Sequence, residues 1–117
     1  MYKIIVSTSR AFTNGDVFAQ TLDSVISEVA EPVTLLIPEN CVKTRQMALR
    51  YAMEKKVAVK IIGAHSSFKQ FAAAIQSDAL AREGHYCLLF QTGIKTNIKL
   101  LEEACEKYQK PIRYVRA

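Results

Sequence analysis

Short, nearly unbroken apolar runs alternate along this chain with longer stretches in which apolar residues recur every three or four positions. The runs are Tyr2–Ser7, Val33–Ile37, Val57–Ile62, Tyr86–Phe90 and Ile112–Val115. Each is short and rich in branched residues, which predicts strands buried on both faces, as in a parallel sheet covered by helices on each side. After the first run, Val17, Phe18, Leu22, Val25, Ile26 and Val29 fall at helical spacing. Asn14-Gly15-Asp16 offers that helix a turn and an N-cap. Glu31-Pro32 ends it, because the residue before a proline is pushed out of the α region. Pro38 closes the second strand, and a second helix is expected from about Lys43 to Lys56. The stretch Ser66–Arg82 predicts a third helix, broken or shifted near Gln76-Ser77-Asp78, and a fourth runs from a Thr96 cap to Lys110. Five strands separated by four helices predict an α/β fold: a three-layer, doubly wound, mainly parallel, Rossmann-like sheet with right-handed crossovers.

Length and composition narrow this picture without changing it. A chain of 117 residues predicts one domain over 1–117, with neither an internal repeat nor a linker. Half of its residues are hydrophobic and 23% are charged, which excludes a disordered chain. Four glycines are few for a nucleotide binder built on glycine-rich loops. The net charge of +5 and pI near 9.2 favour anionic partners, but the basic residues form no tail-like block. Cys41, Cys87 and Cys105 show no CxxC and no zinc-type His pair, so the reading is reduced thiols in a cytoplasmic protein. No apolar run approaches the roughly 18–20 residues of a membrane helix, so no membrane partner is expected.

Candidate chemistry gathers in the four loops that this topology sends to the carboxyl edge of the sheet, where open parallel sheets bind ligands. The first, Ser7–Asn14, carries Ser7, Thr8, Ser9, Arg10 and Thr13, which is what a phosphate or carboxylate needs: hydroxyls, backbone N–H groups and a guanidinium. The alternative is capping and turn chemistry with Arg10 on the surface. The second loop offers Glu39, Asn40 and Cys41, then Lys43, Thr44 and Arg45. It has no glycine to let backbone approach a pyrophosphate. The third holds His65, and the fourth holds Gln91, Thr92, Gly93, Lys95, Thr96 and Asn97. Neither His65 nor His85 has an identifiable partner; both read as surface residues. Cys41 is expected at a helix N-terminus without a base, whereas Cys87 and Cys105 read as core. There is no P-loop, no HExxH and no GxSxG, and no carboxylate pair stands out, so no reaction, metal or cofactor is expected.

The run Ile4-Ile5-Val6-Ser7-Thr8-Ser9-Arg10-Ala11-Phe12-Thr13 resembles the opening strand and loop of the SLOG superfamily, in its branch of small proteins related to YpsA. Those begin with an apolar strand and a Ser-Gly-Ser-Arg-Thr-Phe-like loop. Arg50-Tyr51-Ala52, Val59-Lys60-Ile61, Glu103–Tyr108 and Pro111–Val115 follow in the matching order. The resemblance implies a Rossmann-like domain that binds nucleotides or nucleotide-derived signals, and it passes a ligand-facing role to Ser7, Ser9 and Arg10. The chain departs from the pattern elsewhere. Thr8 stands at the family's glycine, and Glu39–Arg45 replaces its Gly-Gly-Ala-Arg-Gly-Ala-Asp loop. Ile75-Gln76 replaces an Arg-Asn pair, and Ile94–Asn97 a Ser-Arg-Gly-Thr stretch. Glu39 and Asn40 add bulk and a negative charge beside the expected phosphate, so the nucleoside-monophosphate cleavage of one family branch is not expected here.

The expectation is therefore a non-catalytic domain that binds a nucleotide-like molecule through Ser7, Ser9, Arg10, Thr13, Asn40, Lys43, Lys95 and Thr96. By the same resemblance it is expected to form a homo-oligomer, with a sensing or sequestering role in phage–host defence. The alternative is a protein-interaction module, an inhibitor or adaptor that kept the fold and lost the ligand. Weak nucleic-acid binding, suggested by the pI, ranks last because no motif interleaves aromatic with basic residues.

Overall fold

The computed structural model describes residues 1–9, 11–39, 41–63, 72–92 and 99–116. Its elements are β1 (Tyr2–Thr8), α1 (Gly15–Ser27), β2 (Val33–Pro38), α2 (Val42–Lys55), β3 (Ala58–Ile62), α3 (Ala72–Glu83), β4 (Tyr86–Gln91), α4 (Lys99–Lys107) and β5 (Ile112–Arg116). The five strands form one sheet in the order β3-β2-β1-β4-β5. Every neighbouring pair is parallel, so the sheet is wholly rather than mainly parallel.

Strand alternation divides the core between the two faces of this sheet. Ile4, Val6, Val33, Leu35, Ile37, Leu88 and Phe90 pack with Phe18, Leu22 and Val25 of α1 and with Ala48 and Tyr51 of α2. On the other face Ile5, Leu36, Cys87 and Leu89 meet Leu80 and Ala81 of α3 and Leu101 and Cys105 of α4. Both faces are thus apolar along the inner strands, which explains why their sequences show runs instead of alternation. Cys87 and Cys105 lie in that core, and their side-chain hydrogen bond, followed by burial, pushes the Cys87 thiol up. Among the described residues no helix is long and apolar enough to cross a membrane.

Helix ends follow local chemistry. The Asn14 side chain accepts from the Val17 backbone N–H at 3.1 Å, which starts α1 at Gly15, two residues before its first apolar position. The expected interruption near Gln76-Ser77-Asp78 is absent, and α3 runs unbroken from Ala72 to Glu83. Its polar residues are used inward: Gln76 and Ser77 are buried, and Asp78 accepts from the Tyr108 hydroxyl of the α4–β5 connection at 2.8 Å. The expected helix start at Ser66 and the Thr96 cap lie outside the described residues. Gln109 turns to a φ of 55°, so α4 stops at Lys107 and not at Lys110.

The amino edge of the sheet is closed by polar contacts. His85, expected to be partnerless, accepts the Lys3 backbone N–H at 2.9 Å and stacks on Tyr2. Gly84 packs so tightly beside it that a Cβ there would fall 2.4 Å from Cγ1 of buried Ile5. Glu83 receives both Lys60 at 2.6 Å and Lys3 at 3.2 Å, tying β3, β1 and the end of α3 together.

These lysines, the Lys60 hydrogen bond foremost, hold the Glu83 carboxyl below its ordinary value of 4.5. The Tyr108 hydrogen bond, foremost among several causes, does the same for Asp78, ordinarily 3.8. A carboxylate whose folded pKa is depressed stabilises the fold above its unfolded pKa, and the stabilisation is lost as pH falls through the folded value. The melting temperature is therefore expected to drop between about pH 5 and about pH 3. Thermal melts of Glu83→Gln should show a shallower fall over that window and a lower melting temperature at neutral pH; an unchanged acid slope would remove Glu83 from this role.

Candidate ligand site at the carboxyl edge

Strand order reverses between β1 and β4. From β1 the chain winds outward through α1 to β2 and then α2 to β3, and it returns through α3 to β4 on the other side of β1. The carboxyl ends of β1 and β4 are therefore the switch point of the sheet, the place where doubly wound folds bind ligands. The residues that leave the sheet at this point are Thr8 and Ser9 on one strand and Gln91 and Thr92 on the other.

Ser9 ties the two exits together. Its backbone N–H donates to the Phe90 carbonyl at 2.8 Å, extending the β1–β4 ladder by one rung. Its hydroxyl accepts the Thr92 N–H at 3.0 Å and donates to the Thr92 carbonyl over a long 3.5 Å. The Phe12 N–H then returns to the Ser9 carbonyl at 3.1 Å, and the Phe12 ring drops into the core 5.2 Å from that of Phe90. With Phe12 anchored, Ala11 and Thr13 stay exposed on either side of it.

Neighbouring hydroxyls on β1 face opposite ways. Thr8 points to the α1/α2 side and shares a buried hydrogen bond of 2.8 Å with Thr44 in the first turn of α2. Ser7 points to the α3/α4 side and is 4% exposed. Helix α2 starts at this edge from an N-cap, Cys41, whose side chain makes no capping bond, and its first turn holds no acidic residue. Lys43 is exposed in that turn, while Arg45 donates to the Glu39 carbonyl at 3.3 Å. A cation at a helix N-terminus opposes the macrodipole unless an anion lies close by. The Glu39 carboxylate rests against Gly63 beyond β3, where a Cβ would lie 2.6 Å from its Oε2. That acidic group is therefore placed across β2 from the β1–β4 switch point.

Of the residues expected to bind ligand, Ser7 and Ser9 are buried at the end of β1, the Ser9 hydroxyl already engaged by Thr92, and Thr13 and Lys43 are exposed. Arg10, Asn40, Lys95 and Thr96 lie outside the described residues, as do His65, Gly93 and Asn97. Two residues that the sequence places only among polar loop positions, Thr44 and Gln91, are buried at this edge. Gln91, 3% exposed at the end of β4, has an Nε2 that finds no hydrogen-bond partner among the described residues. An unsatisfied buried donor costs about 1–3 kcal/mol, so its presence calls for a reason. A polar residue that extends an apolar strand by one position was the available signal. Among the described residues no group of three His, Cys, Asp or Glu side chains is placed to hold a metal ion.

Comparison with protein-family models, with curated proteins and with solved structures finds no match.

Thr44 is completely buried, so Thr44→Val removes a hydrogen-bond partner from Thr8 without opening a cavity. A loss of about 1–3 kcal/mol is expected in urea unfolding. The double variant Thr8→Val/Thr44→Val should lose less than the sum of the two single changes. Strict additivity would show that the hydroxyl pair does not couple α2 to β1.

Proposed function

We propose that this protein binds a nucleotide or nucleotide-derived molecule, without transforming it, at the switch point between the carboxyl ends of β1 and β4. The observation that carries this reading is the grouping of Ser7, Thr8 and Ser9 at the point where strand order reverses. The α2 N-terminus, with Lys43 and no acid in its first turn, suits an anionic group on the α1/α2 side. Arg10 follows Ser9 directly in sequence and supplies the guanidinium that such a group would pair with. A SLOG-like sensing or sequestering role in phage–host conflict is the form of this proposal that the sequence resemblance suggests.

A second reading, an interaction module, is favoured by one specific observation. Val42, Leu49 and Met53 are 52%, 42% and 81% exposed and fall on one outward stripe of α2. Beside it a groove of about 260 Å³ runs between α1 and α2, lined by Asp16, Ala19, Met47 and Arg50 among others.

A thermal-shift panel of nucleotides and cyclic nucleotides separates the two readings. Ligand binding predicts that at least one compound raises the melting temperature and that Arg10→Ala abolishes the shift. A panel with no effect would overturn it. The interaction reading instead predicts a stoichiometric protein partner that survives Arg10→Ala and is lost in Leu49→Asp/Met53→Asp.

A further inference from the structure

Gln91 continues the alternation of β4. Cys87 and Leu89 face α3 and α4, whereas Leu88 and Phe90 face α1 and α2. Gln91 therefore faces the α3/α4 side. Ser7 faces the same way and pairs in register with Leu89, which places Gln91 one pleat further toward the carboxyl edge on the adjacent strand. Both side chains are at least nine-tenths buried, and the Gln91 Nε2 has no acceptor among the described residues. Native folds rarely leave such a donor unmatched unless an ordered water or a bound group completes it.

The surroundings define what that group is. A carboxamide is uncharged and presents two N–H donors beside one acceptor oxygen. Two carboxylates of α3 on this face are paired elsewhere: Glu83 with Lys3 and Lys60, and Asp78 with Tyr108 and Lys107. Among the described residues no cation is buried at this end of the α3/α4 side. A buried anion against Gln91 would lack compensation there, whereas a neutral acceptor would not. Resting on the ligand-binding reading above, we propose that Gln91 is its specificity residue: its Nε2 donates to a carbonyl oxygen or ring nitrogen of a nucleobase. The ligand's halves then part at the sheet, with the base on the α3/α4 side toward Gln91 and Ser7 and the anionic group on the α1/α2 side toward the start of α2.

The test uses the full chain with Gln91→Leu, and Gln91→Met as a second variant closer in length. Because the Gln91 Nε2 finds no partner among the described residues, both variants are expected to melt at or above the wild-type temperature. Adenosine, guanosine, cytidine and uridine, which carry a base and no phosphate, are the probes, with ribose 5-phosphate and inorganic phosphate as controls. At least one nucleoside should raise the wild-type melting temperature and fail to raise that of either variant, while any response to the phosphate controls is kept. Variants that melt several degrees lower, or a nucleoside shift that survives them, would overturn the assignment. So would a wild-type chain that responds to nucleotides but to no nucleoside, an outcome that leaves the ligand-binding reading standing. Silence toward nucleotides and nucleosides alike would end both.

Discussion

Burial of β1 on both faces, between β2 and β4 and beneath helices from either side, is the constraint on which the rest of the structure depends. A strand so enclosed has to satisfy all its backbone groups within the sheet, and β1 does so by pairing in parallel along both edges. Ile4, Ile5 and Val6 are then excluded from water altogether, each serving one of the two cores. The same enclosure makes polar residues at the end of the strand consequential. Thr8 can lie there because Thr44 meets it, and Ser9 because the Phe90 and Thr92 backbone meets it. Much of the hydroxyl chemistry at this edge therefore serves both to close the fold and to make the switch point polar.

The architecture was legible in the sequence because its cause is local and repeated. Strands apolar on both faces can exist only inside a three-layer structure, and four amphipathic stretches supply the two covering layers. Helix α1 was readable in its place and its Asn14 cap, but it starts at Gly15 and stops at Ser27, short of Glu31-Pro32. The unbroken course of α3 was not readable, because Gln76 and Ser77 look like solvent-facing or breaking residues in one dimension and become inward-facing only when α3 packs on the sheet. His85 is exposed as read, but its partner was not legible, because that partner is the backbone of Lys3, far away in sequence.

The candidate site divides along the same line. That the loop after β1 lies at the carboxyl edge follows from topology, and topology followed from pattern. Which atoms there are already engaged does not. The Ser9 hydroxyl is engaged by Thr92, and the exposed Thr13 lies beyond the anchor that Phe12 makes in the core. Whether Gln91 is bonded depends on every acceptor within reach of a buried carboxamide, information that no spacing rule contains.

The register of β1 also bears on how the molecule is made. Its pairing with β2 joins Tyr2 to Val33, and β2 with β3 joins Thr34 to Ala58, so one half of the sheet closes over modest spans of chain. Pairing with β4 joins Ile4 to Tyr86 and has to wait for a far longer loop. Loop-closure entropy and contact order both delay such a contact. Pairing of β4 with β5 joins Cys87 to Ile112, again over a modest span, so the closure between β1 and β4 is the longest in the sheet. The switch point lies on the seam between these two halves, so it comes into existence only when the longest-range pairing is made.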